Sequence, residues 1–272
     1  MNNEKDILSL GEIVQFQEEI FEEIIEEYNR NSEEVPIDAL EILLLFRKIT
    51  EHIDAIFVLM DHSLEKTAES ICRNLLESLM FLKYIAKEKQ LSKERAAAYH
   101  YKHLLNQKDL AKVLFNKKNE DVVKEWMPNL DKKYLDYLKT AINTAMKREQ
   151  FTNINVEWQI QQKKQKKNHI EWYSLYQGPR NLRELAESCD LQGEYLLLYR
   201  IFSYQVHSQN AFNQIERIGT LAGIKNIRIQ ENTGLIITFT RILALYSSLI
   251  ISDFFELKNE EHIRNWFNEL IN

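Results

Sequence analysis

Glu194-Tyr195-Leu196-Leu197-Leu198-Tyr199-Arg200-Ile201-Phe202-Ser203-Tyr204-Gln205-Val206-His207 is the stretch on which the fold turns. Tyr195, Tyr199, Ser203 and His207 recur every fourth residue, so on a helix they form one slowly drifting polar and aromatic stripe. The positions between them are mostly leucine, isoleucine, phenylalanine and valine, which predicts a helix over 194–210 seated in a core. Hydroxyl, imidazole and guanidinium groups carried into a core need partners. The stripe is therefore either a structural network or an active site.

Working outward, the same helical period recurs along the chain. Residues 5–29 read as an amphipathic helix, with Ile13, Phe16, Ile20, Phe21 and Ile24 opposite a face of glutamates. Asn31, Ser32 and Pro36 mark a turn, and Pro36 suits the first position of a helix running to Asp61. Ser63 reads as the cap of the next helix, to about Lys89, and Ser92 as the cap of a fourth. Between 116 and 168 the pattern weakens around Pro128 and Asn153–Asn155, which predicts a peripheral helical hairpin. Gly178-Pro179 punctuates the chain, Asn181–Cys189 is a short helix, and Gly193 permits the turn into the stripe helix. The last long helix covers Gly234 to Glu256.

Glycine and proline number 6 and 3 in 272 residues. That is about 3% of the chain against roughly 12% in average usage, too little turn chemistry for an all-β or α/β fold. The expectation is an all-α multi-helix bundle of about seven to nine helices. It forms a single helical domain over 1–272 with the insertion at 116–168; the other candidate boundary lies near 150–170. Helices at 38–61, 63–89, 194–210 and 234–256 form its centre.

The net charge of −6 argues against broad electrostatic binding of nucleic acid. Lys163-Lys164-Gln165-Lys166-Lys167 is the one strong positive cluster, either solvated surface or a local phosphate contact. Cys72 and Cys189 are the only cysteines and support neither a disulfide framework nor a zinc site, which suits a reducing cytoplasm. His100 and His103 lack a third ligand at metal spacing, and no cofactor is implied. The N-terminus carries no signal-peptide pattern. Gly234–Phe255 is strongly apolar but holds Arg241 and Asp253, and reads as a buried core helix rather than a membrane span.

Arg200 and His207 lie seven residues apart, about 20° apart in azimuth on a straight helix, so both can face one cavity. An arginine followed after four to six residues by a histidine resembles the HEPN superfamily of helical ribonucleases and toxins. In that superfamily the histidine transfers protons and the arginine stabilises charge at the scissile phosphate, without metal. Arg47–His52 and Arg95–His100 also fall within that range, so the motif by itself fits a hydrogen-bonded helix pair as well as a catalytic one.

A second resemblance covers more of the chain. Cys72-Arg73-x3-Glu77, then Trp172, Asn181-Leu182-Arg183-Glu184-Leu185-Ala186 and Tyr195-x3-Tyr199-x3-Ser203-x3-His207 look like a bacterial all-helical family defined only as a domain of unknown function. The match spans about residues 40–215. Arg73 and Glu77 sit at the i, i+4 spacing of an intrahelical ion pair in an apolar surround. Either they lock the helix and satisfy the stripe across the core, or they line a pocket with Tyr195, Tyr199, Ser203 and His207. In the pocket reading Arg73 holds an anion and Glu77 orients His207. Two functions from different classes follow. One is a HEPN-like metal-independent ribonuclease of a defence or toxin system, dimeric so that two stripe helices build one cleft. The other is a helical scaffold or regulator that takes a small anionic ligand in a polar core.

Overall fold

The computed structural model describes residues 2–31, 35–114, 116–130, 132–165, 170–199, 201–202, 211–218, 221–228 and 233–271. The residues divide into two compact units, 1–89 with 185–272, and 90–184. The architecture is predominantly helical, as expected, with more helices than the seven to nine anticipated. The extra ones are short or follow breaks that weaken the periodicity.

In the first unit α1 (Asn2–Asn31), α2 (Ile37–Asp61), α3 (Glu65–Ala86) and the long helix Thr233–Phe254 pack together. Leu10, Ile13, Ile24, Phe46, Ile49, Ile53, Leu75, Leu79, Leu243 and Ile251 fill their centre with no more than 1% exposure. Gly11 lets α1 approach α2, because a Cβ there would lie 3.4 Å from the Phe57 ring. Thr233–Phe254 is long and apolar enough to cross a membrane by length and composition. Arg241, Ser247 and Ser248 of this helix are bonded within the unit. Arg241 pairs with Asp6 at 2.9 Å and donates to Ser9. Ser247 and Ser248 accept from the amide of Gln17, at 3.0 and 3.2 Å, while Gln17 accepts from Thr50. A final helix, Glu260–Ile271, passed unnoticed in the sequence; it packs on Thr233–Phe254 and places Trp266 in a stack 4.2 Å from Phe16.

Scarcity of glycine does not remove the turns; other residues make them. Ser63 is not an N-cap. With φ 58° it is the left-handed residue that ends α2, where Leu64 N–H bonds Leu59 C=O and Ser63 N–H bonds Met60 C=O. Asp190 and Glu256 close α8 (Leu182–Ser188) and Thr233–Phe254 with the same paired bonds. Gly193 is therefore not the hinge; Asp190, with φ 53°, reverses the chain before the stripe. Two strands, β1 (Ile215–Ile218) and β2 (Leu221–Ile224), form an antiparallel hairpin that helical periodicity could not reveal.

The second unit holds α4 (Lys89–Leu114), α5 (Glu120–Trp126), α6 (Lys132–Ala145) and α7 (Thr152–Gln165). Among the described residues of 116–168 there are three α-helices rather than the two of the expected hairpin. Ser92 does not cap α4, which starts three residues earlier; it is buried inside the first turn. Tyr101, Phe151 and Trp158 build an aromatic core, with the Tyr101 hydroxyl donating to Asn155 at 2.9 Å. Trp172 is 3% exposed and meets Tyr99 edge-on.

Candidate functional site

Of the expected site residues, Arg73, Glu77, Tyr195 and Tyr199 are described and come together in the first unit. Arg200, Ser203 and His207 lie outside the described residues, as do Ser32, Lys166 and Lys167.

The stripe begins as a π-helical turn. Residues Tyr195–Tyr199 form i to i+5 bonds, a rare geometry that concentrates at functional sites. The turn sits against α3. Two attachments fix it: Leu198 and Phe202 are fully buried, and Tyr246 on Thr233–Phe254 hydrogen-bonds Glu194. Burial, then the Glu194 charge and hydrogen bond, raise the Tyr246 hydroxyl above its ordinary pKa. Sequence reading missed Tyr246, whose one signal was a phenol in an otherwise aliphatic helix. The expectation of a helix seated in a core holds for one side only. Leu196, Leu197 and Ile201 are 49%, 53% and 47% exposed, so only one side of the turn faces the core.

Arg73 is the hub. Its Nη2 donates to the Tyr199 hydroxyl at 2.7 Å and lies 3.1 Å from Glu77 Oε1, the i, i+4 pair expected from spacing. The guanidinium carbon is 4.3 Å from the Tyr199 ring centroid, within cation–π range. Tyr195 stacks on Tyr199 at 4.7 Å and 23°. The Arg73 side chain is only 13% exposed, and its buried Nε–H has no partner among the described residues. A buried donor on a cation left open in this way is rare and suits an anionic acceptor.

Burial raises the Glu77 carboxyl above the usual carboxylate range, and the opposing charge and hydrogen bond of Arg73 do not fully offset it. Such a group exchanges protons closer to neutrality than an ordinary glutamate. The neighbouring Cys72 is not a nucleophile, because burial pushes its thiol to about 12 despite a hydrogen bond with Thr240. Among the described residues no three His, Cys, Asp or Glu groups converge on a metal site. His103 is exposed and contacts Gln107, while His100 packs on Phe151.

No curated protein and no solved structure matches this chain. A family profile does, over residues 41–220, the span that carries Arg73, Glu77, Trp172 and the stripe. The chain belongs to the family of unknown function DUF5677.

Proposed function

We propose that this protein is a HEPN-like, metal-independent ribonuclease of a bacterial defence or toxin system, working in the cytoplasm with RNA as its substrate. The observation that carries this reading is Arg73. It is a nearly buried guanidinium with an open Nε–H, held against a π-helical turn whose next residue is Arg200. In this reading Arg73 holds a phosphate oxygen, Arg200 stabilises the charge that develops at phosphorus, and His207 transfers protons. The RNA 2′-hydroxyl gives up its proton to His207 and attacks phosphorus, and the 5′-oxygen leaves with a proton. Glu77, with its raised pKa, orients His207 or serves as the second proton carrier. The exposed Leu196, Leu197 and Ile201 beside the cluster supply an apolar surface for a second copy, so that two stripes share one cleft.

One observation favours a second reading. Glu77 neutralises Arg73 and Tyr199 already occupies its Nη2, as in a core network that locks helices together. The protein is then a scaffold or regulator that takes a small anionic ligand at Arg73.

RNA degradation and thermal unfolding measured together separate the two. With EDTA present, His207→Ala and Arg200→Ala each lower RNA cleavage by about 10²- to 10⁴-fold at an unchanged melting temperature if the pair is catalytic. Wild-type protein that leaves RNA intact, together with variants that only melt earlier, would leave the scaffold.

A further inference from the structure

The second unit contains a cavity of about 600 Å³ that neither the stripe nor the ribonuclease reading uses. This volume lies in the range of small-molecule sites. Its lining includes Gln161 and Lys164 from α7, Ser174 and Gln177 from the segment Trp172–Gln177, and Arg180 and Glu184 beyond Gly178. Three features of these residues point to a ligand.

The first is unspent polarity in buried side chains. Ser174 is 5% exposed, and its hydroxyl has no hydrogen-bond partner among the described residues. Gln161 is 8% exposed; its amide donates to Glu157 at 2.7 Å, while its carbonyl oxygen has no described partner. An unpaired hydroxyl and amide oxygen on one cavity wall can bond donors and acceptors from outside. The second is charge: two cations, Lys164 and Arg180, face one carboxylate. Glu184 holds Nε of Arg180 at 3.1 Å and Nη2 at 2.9 Å, which fixes the guanidinium and leaves its remaining N–H donors uncommitted. Lys164 has no ion-pair partner among the described residues. The third is a wall held in a costly shape. Tyr176 and Gln177 are consecutive non-glycine residues in the left-handed region, φ 52° and 64°. Glu157 accepts the Tyr176 N–H at 3.2 Å, and Glu94 hydrogen-bonds its hydroxyl, so the conformation is over-determined from two sides.

We infer that this cavity binds a phosphomonoester carried on a hydroxylated group: Lys164 and Arg180 take the phosphate, and Ser174 and Gln161 the hydroxyls. Among the described residues no aromatic ring lines it, so the recognition argued here uses no base stacking. The phosphomonoester can come from a free sugar phosphate or from the 5′-phosphate end of an RNA strand. Because the site lies wholly in the second unit, it stands or falls independently of the ribonuclease.

Isothermal titration calorimetry of the full chain with ribose 5-phosphate, inorganic phosphate, ribose and a 5′-phosphorylated tetraribonucleotide tests this. Ribose 5-phosphate is expected to bind more tightly than phosphate and at least tenfold more tightly than ribose. Lys164→Met, an exposed position, and Ser174→Ala should each weaken it at least fivefold at an unchanged melting temperature. A tetranucleotide that binds more tightly than ribose 5-phosphate assigns the site to RNA ends, and one that binds less tightly assigns it to a free sugar phosphate. Absence of heat with both phosphate compounds at millimolar concentration, or affinities equal in the wild type and both variants, would overturn the inference.

Discussion

Replacing Tyr199 with phenylalanine removes one oxygen atom and leaves the ring stacked on Tyr195 beneath the Arg73 guanidinium. The bond lost to Arg73 is the 2.7 Å one from its Nη2. Hydrogen bonds to charged groups contribute about 1.5–3 kcal/mol, and the 13% exposure of Arg73 leaves little solvent to replace this one. Tyr199→Phe is therefore expected to destabilise the fold by about 1.5–3 kcal/mol. Tyr199→Ala also loses the stacking and the cation–π contact, for a total of about 3–5 kcal/mol. A double-mutant cycle in urea isolates the pair, with Arg73→Met as the second arm because methionine keeps the length without the charge. The coupling between Tyr199→Phe and Arg73→Met should be at least about 1 kcal/mol. A coupling near zero, with Tyr199→Phe as stable as wild type, would refute the placement of Arg73 as the hub of the site.

Three further outcomes are expected. The pKa of Glu77 is raised on folding, so the folded state holds its proton while the unfolded state has lost it; stability falls as pH rises from the ordinary glutamate pKa through the folded one. Glu77→Gln should abolish that fall in urea titrations at pH 4–7, and an identical pH slope in the variant counts against it. Gln17→Ala should cost about 2–4 kcal/mol through a cavity and lost bonds, and Gln17→Leu less than about 1.5. Thr50, Ser247 and Ser248 each keep a bond to a helix carbonyl, and denaturation midpoints check the order. Asp190→Gly should stabilise the protein by about 0.5–1 kcal/mol, because glycine takes φ 53° without strain and the Lys87 contact at 3.6 Å is exposed; a lower melting temperature would contradict this.

The long helices were legible in the sequence because each presents an unbroken apolar period: α1, α2 and Thr233–Phe254 fall within a few residues of their expected bounds. The Arg73–Glu77 pair was legible for the same reason, since i, i+4 spacing on a helix fixes the distance. Helix ends were not. Ser63 and Ser92 have the right side chains for caps, but a left-handed C-terminal motif and burial in a first turn use those residues differently. The π-turn was hidden as well, because i+4 repetition in a sequence does not distinguish α from π bonding until the backbone is seen. Tertiary partners of the cluster, such as Tyr246 for Glu194, come from an element about fifty residues away and leave no local pattern. The Glu260–Ile271 helix was open to detection from Ile263, Trp266 and Phe267 at helical spacing.

Cleavage chemistry tests the central claim most directly. A fluorogenic RNA and the same strand with 2′-deoxyribose at its cleavage site are incubated with the wild type, Arg73→Gln and His207→Ala in EDTA. The expected result is cleavage of the all-RNA strand by the wild type, no cleavage at the deoxy position, and rates about 10²- to 10⁴-fold lower for His207→Ala with unchanged melting. Arg73→Gln should weaken binding of the uncut strand. An intact RNA strand with folded wild-type protein, or cleavage that EDTA abolishes, would contradict it.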